Sequence, residues 1–250
     1  SAMKKLARAI KRQDILDALD DVNVIQTENA ELQTVKLEDF LNWRDKTLGT
    51  DGMLHGNSSL DTRKAWLWAF SMQIVYGLRI SEVFAIKNLT EPYVASDGML
   101  ILALNDSDNT DNLLYIGDKT NLGTTVKTGS RIARPMIPPK YFNLIEDLDI
   151  KFPLVPTNAP RGNTSNTVRR FYAATARKIL IKWEAPVTQT HALRHLANIN
   201  GIQAGIPQEV RAQSMGHTVQ MNESVYKKRQ STQTTIDLLL NSNSNAIDFV

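Results

Sequence analysis

The chain has 250 residues, 42% of them hydrophobic, which is enough apolar material for one large globular domain or two small ones. It contains no cysteine, which excludes disulfide staples, zinc-thiolate sites and thiol catalysis. The net charge of +3 hides an asymmetry: residues 1–114 carry 12 basic and 17 acidic groups, whereas residues 115–234 carry 17 and 7. So basic a block suits a surface that faces a polyanion, although charge alone slightly favours the commoner solvated basic face.

Residues 4–22, KKLARAIKRQDILDALDDV, place Leu6, Ile10, Leu16 and Leu19 near helical spacing and predict a thin amphipathic linker helix. The initial Ser-Ala-Met reads as a tag scar. A helix is expected over Leu37–Lys46, followed by the turn-rich GTDGMLHGNSS at 49–59. From Asp61, DTRKAWLWAFSMQIVY predicts an N-capped, largely apolar helix that Gly77 ends in a left-handed conformation. Its run WLWAFSMQIVYGL at 66–78 is too short to cross a bilayer, so Trp66, Trp68, Met72 and, further on, Phe84 are assigned to the core, as is Trp43.

The shorter helix ISEVFAI at 80–86 follows at once and leaves Arg79 at a buried junction, a costly place for a cation without a counter-charge. Glu82, three residues on, is the local candidate. Short β-like runs come next at 99–104, 113–116, 124–127 and 131–137, with Thr128-Gly129 as a hairpin turn and Pro135 marking an edge strand. Helices are then expected over 139–149, 165–182, 191–204, 207–214 and 219–228, with a final apolar turn IDLLL at 236–240. The fold class is therefore α+β and mostly helical, with one small antiparallel β-sheet.

THALRHLAN at 190–198 sets His191 and His195 four apart, as in HExxH metalloproteases. Ala192 stands where that motif needs its glutamate, and Arg194 would set a permanent cation beside a dication. The stretch reads instead as an anion clamp, with no metal and no cofactor, because a guanidinium presents paired donors to phosphate oxygens. His195 taken alone reads as a core histidine.

GLRISEV at 77–83, VKTGSRIARPMIP at 126–138, HALRH at 191–195, MGH at 215–217 and VYKK at 225–228 together resemble the catalytic domain of the tyrosine recombinase (phage integrase) family. Each motif is weak alone; their order carries the resemblance, as does the nine-residue step from His217 to Tyr226. The likeness spans roughly 35–240, leaving 1–34 as tag scar and linker or N-terminal helix and 241–250 as a flexible tail.

The resemblance implies that Arg79 and Arg194 form an arginine pair that holds the non-bridging phosphate oxygens, with His217 as a further donor. It makes Lys127 the general acid on a hairpin, His191 a base, Tyr226 the nucleophile and Glu82 the support of Arg79. Arg131, Arg134, Arg169, Arg170, Arg177 and Lys119 are the expected contacts to the DNA backbone. Lys119 is also the runner-up for the general acid, because the 48 steps from Arg79 to Lys127 exceed the usual spacing and NDSDNTDN at 105–112 suggests an inserted loop.

The implied activity is cutting and rejoining of double-stranded DNA through a 3′-phosphotyrosine, without metal or ATP, in DNA integration or recombination of a mobile element. A homo-tetramer would act on DNA, with a monomer when free, in the cytoplasm at the nucleoid and at no membrane. Residues 1–34 are too few for the family's N-terminal DNA clamp, so a catalytic fragment is expected. The alternatives are a type IB topoisomerase-like enzyme and a non-catalytic DNA-binding protein that keeps the fold.

Overall fold

In the computed structural model, which describes residues 2–21, 33–49, 58–160, 162 and 165–220, one helix is buried on nearly every side. This is α4, Leu60–Tyr76, in which thirteen of seventeen residues are buried, as expected of a helix that is apolar all round. Ser59 caps it by accepting from the Thr62 N–H at 3.2 Å, so the cap lies just before the expected Asp61. Gly77 ends it at φ 64°, in the left-handed conformation read from the sequence.

The chain divides into two compact units, Ser1–Leu32 and Gln33–Val250. In the first, the single helix expected over 4–22 is two: α1, Ala2–Ala9, and α2, Gln13–Asp21. The break comes at Lys11, whose φ of 53° is incompatible with a continuing right-handed helix, and Asp14 opens the next helix paired with Arg12 at 2.5 Å. Met3, Leu6 and Ile10 are exposed, so the apolar stripe of this unit is only partly covered.

The second unit contains α3, Leu37–Leu48, then α4 and α5, Ile80–Val83. Four short strands follow: β1, Tyr93–Val94, β2, Leu100–Ile101, β3, Leu114–Ile116, and β4, Arg131–Ala133. After a 3₁₀ turn at Pro139–Tyr141 come α6, Leu144–Asp147, α7, Ser165–Lys182, α8, Thr190–Gln203, and α9, Gln208–Met215. The helix expected over 139–149 is thus two short pieces. Among the described residues no helix is long and apolar enough to cross a membrane.

One sheet was expected, and two antiparallel pairs are found, β1 with β2 and β3 with β4. In the second pair Leu114 faces Ala133, Tyr115 faces Ile132 and Ile116 faces Arg131. The run at 124–127 forms no strand of its own; only a bridge between Lys119 and Thr125 closes a smaller hairpin between β3 and β4. Strand β4 stops two residues before Pro135, which has no N–H to donate to a ladder. NDSDNTDN folds over the buried Asn109, whose Nδ2 donates to Ala103 O at 3.1 Å and to Leu113 O at 3.1 Å.

The core gathers Phe40, Trp43, Trp66, Phe70, Phe84, Tyr172 and Trp183 around α4, and α4 packs most extensively against α8. The indole of Trp43 donates to Trp183 O at 2.7 Å and that of Trp68 to Ile150 O at 3.2 Å, so these large side chains enter the core without stranding their N–H groups. Trp43, Trp66, Trp68, Met72 and Phe84 are all buried, as read from the sequence.

The first turn of α8 has no cap from its own residue Gln189. The segment leading into the helix is held by Gln33, whose side-chain oxygen accepts from Thr188 N at 2.7 Å and Gln189 N at 3.1 Å, both ahead of the first turn. Gln33→Ala should therefore cost about 1 kcal/mol, the usual net worth of an intramolecular hydrogen bond, read as a lower urea midpoint with unchanged slope. An unchanged midpoint would show that water replaces the glutamine at no cost.

Candidate anion-binding and catalytic site

The ends of α4, α8 and α9 and the turn before β4 meet at one carboxylate. Gly77 lets the chain turn sharply from α4 into α5, which places Arg79 at the N-cap and Glu82 in the first turn. A Cβ at Gly77 would lie 2.8 Å from Met215 Cγ, so this glycine is also where the end of α9 approaches α4. Gly216, at φ 66°, ends α9 in the same way, and a Cβ there would lie 2.9 Å from both Cβ and Oγ1 of Thr128.

Glu82 is 1% exposed and accepts from three guanidinium groups. Arg79 NH1 reaches Oε1 at 2.6 Å, Arg131 NH2 reaches Oε2 at 2.8 Å and Arg194 NH1 reaches Oε2 at 3.2 Å. The Arg79 backbone N–H donates to Oε2 at 2.8 Å and the Thr128 hydroxyl to Oε1 at 3.1 Å. Burial alone would raise this carboxyl, but the charges of Arg131 and Arg194 with the hydrogen bonds from Arg131 and the Arg79 N–H overcome it, and its pKa falls to about 2.

Arg194 is 3% exposed, and its NH2 donates both to Met215 O and, at 2.7 Å, to His217 Nε2. A guanidinium has no acceptor, so His217 accepts here through Nε2 and carries its proton on Nδ1. Burial pulls Arg194 down to about 9, with Arg79 and Arg131 acting in the same direction and Glu82 against it. It is still a cation at pH 7. The three guanidinium groups therefore share one negative charge, and this cluster retains two positive charges. Such a surplus suits an anion, held by paired N–H donors.

The depressed Glu82 pKa makes a stability prediction. A carboxyl at about 2 when folded against an ordinary 4.5 stabilises the fold fully above pH 4.5, and the contribution is lost as the pH falls through 2. It is worth about 3 kcal/mol. Urea melts between pH 5 and 2 should show that loss, and a flat profile across this window would contradict the geometry.

Of the other expected site residues, His191 is exposed in the first turn of α8, three positions before Arg194. His195 is buried, in keeping with its reading as a core histidine. Lys119 and Lys127 are both exposed and lie on opposite limbs of the small hairpin, which is tied by Val126 N donating to Asp118 O at 2.7 Å. Lys127 directly precedes Thr128, which touches Glu82. Arg134, Arg170 and Arg177 are exposed, and Arg169 lies in α7. Tyr226, the helix expected over 219–228 beyond residue 220, IDLLL and the tail lie outside the described residues.

Arg131 is drawn into the same cluster. Expected as a contact to the DNA backbone, its side chain is 8% exposed and bonded to Glu82, Thr128 and Ser214. The sequence marks Thr128 only as a turn residue and does not mark Ser214. Among the described residues no three His, Asp or Glu side chains gather where they could hold a metal ion.

The chain is similar to a curated protein. It is 27% identical over 179 residues to Excisase C of Nostoc sp., a match covering 69% of this chain and 30% of that protein. The chain thus spans less than a third of that relative's length. No family model matches the chain, and no solved structure matches it.

Proposed function

We propose that this chain is the catalytic part of a tyrosine-type site-specific recombinase, which cuts and rejoins double-stranded DNA in recombination of a mobile element. The convergence of Arg79, Arg131 and Arg194 on the single carboxylate of Glu82, with His217 on Arg194, carries this reading. The order of the motifs supports it, as does similarity to a protein named an excisase.

In this reading the Tyr226 oxygen attacks the phosphorus, the bond from phosphorus to the 5′-oxygen breaks, and a 3′-phosphotyrosine forms. The phenol proton passes to His191, and the leaving 5′-oxygen takes a proton from Lys127. A phenol titrates near 10, so reaching the phenolate at pH 7 costs about 4 kcal/mol, which the base and the positive field offset. Arg79 and Arg194 hold the charge that develops on the non-bridging oxygens, as fixed donors whose orientation Glu82 sets. An incoming 5′-hydroxyl reverses the step with no ATP, and strand exchange follows when that hydroxyl comes from a second duplex in a protein tetramer.

The test is a duplex nicked a few nucleotides from the cleavage point, so that the short 5′-hydroxyl fragment diffuses away and traps the complex. The wild-type chain should give a denaturant-stable adduct in EDTA, and Tyr226→Phe none. Equal adduct from both would overturn the reading. Relaxation of supercoiled plasmid with no exchange between duplexes would assign the topoisomerase-like activity instead.

A further inference from the structure

Arg131 uses three donor atoms on three parts of the chain. Its Nε donates to Ser214 O at 2.8 Å, its NH1 to Thr128 Oγ1 at 2.9 Å and its NH2 to Glu82 Oε2 at 2.8 Å. The Thr128 hydroxyl in turn donates to the other oxygen of Glu82, closing a ring of Arg131, Thr128 and Glu82. Such a planar fork fixes direction as well as distance.

Thr128 and Lys127 are the two central residues of a turn closed by Gly129 N donating to Val126 O at 3.2 Å. Val126 is buried and tied to Asp118, so one end of the turn is held by the small hairpin. The other end is held by the Thr128 hydroxyl within the Arg131 ring, where Gly216 lets α9 approach. Lys127 between them is exposed, and its own side chain is not what places it. The guanidinium of Arg131 itself has little surface left to offer a duplex.

We propose that Arg131 is a positioning residue which, through Thr128, aims Lys127 at the leaving 5′-oxygen while linking that lysine to the carboxylate that orients Arg79 and Arg194. This rests on the recombinase reading above and deepens it. If Arg131 acted as a phosphate contact, its loss would weaken cleavage whatever the leaving group. If it acts through Lys127, its loss matters only where the leaving group needs a proton.

Single-turnover cleavage of an ordinary duplex and of one with a 5′-thio leaving group separates the two, because a thiolate leaves without protonation. The variants are Arg131→Lys, which keeps the charge but loses the fork, and Thr128→Val, which keeps the shape but loses the hydroxyl; Lys127→Ala and the wild type run beside them. On the ordinary duplex both variants should lose about 10- to 100-fold, part of what general acid catalysis supplies. On the thio substrate the loss should shrink to less than about threefold, following the pattern of Lys127→Ala.

Equal losses on both substrates for Arg131→Lys, or full activity of Thr128→Val, would overturn the proposal. Should Arg131→Lys melt below the assay temperature, Thr128→Val decides alone. Absence of adduct from the wild type on either substrate would remove the recombinase reading itself. An active wild type whose Lys127→Ala variant loses equally on both substrates would leave that reading standing and remove Lys127, and Arg131 with it.

Discussion

Glu82→Gln should lower the stability of the chain by about 3–5 kcal/mol at pH 7, the range for removing one partner from a buried ion pair. The carboxylate is 1% exposed and answers three guanidinium groups, of which Arg194 is itself only 3% exposed. Glutamine has the same shape, but it brings an NH₂ group to donors that need an acceptor and leaves the mutual repulsion of Arg79, Arg131 and Arg194 unopposed. Urea unfolding followed by tryptophan fluorescence measures the loss. The difference from wild type should close as the pH falls toward 2, because the wild-type carboxyl then becomes neutral too. A cost below about 1 kcal/mol, the range of a solvent-exposed pair, would show that the arginines do not depend on this charge.

Arg194→Lys should slow adduct formation by about 10²–10³-fold, the usual effect of removing a donor aimed at developing oxyanion charge. The guanidinium divides its two ends between separate duties: NH1 bonds Glu82 at 3.2 Å, and NH2 bonds Met215 O and His217 Nε2. An ammonium is a point charge and cannot span both. It would leave either the carboxylate short of a partner or the α9 end and His217 unanchored. Single-turnover rates at saturating DNA isolate this effect from binding, and a loss below tenfold would show that Arg194 only fastens α9 to α8.

Much of the helical framework is legible in the sequence, because long periodic or uniformly apolar runs such as α4, α7 and α8 have few alternatives. Gly77 is legible as a helix end for the same local reason: only glycine takes φ 64° there at little cost. The break at Lys11 is not legible, because a left-handed lysine has no sequence mark. The two separate strand pairs cannot be told from one sheet in the sequence, because strands of two or three residues carry too little alternation to fix partners.

In the site, Arg79 and Glu82 are close in sequence, so their contact could be read from spacing. Arg131 could not be placed in that way. Its three partners lie at positions 82, 128 and 214, and nothing local distinguishes it from the exposed Arg134 three residues on. A basic residue at the start of a short strand looks like a surface cation, and only the approach of α9 through Gly216 turns it inward. Gln33 is hidden for a similar reason: it binds the backbone of Thr188, 155 residues away.

Peptide mapping of the adduct trapped on the nicked duplex shows which side chain takes the phosphate. The guanidinium cluster around Glu82 is held to orient one phosphodiester for attack by Tyr226. Digestion followed by mass spectrometry should then find the nucleotide on the peptide containing Tyr226, through a 3′-phosphate, and Arg194→Lys should reduce its yield without moving it. A nucleotide mapped to any other side chain, or DNA cleaved with no nucleotide left on the protein, would contradict the account.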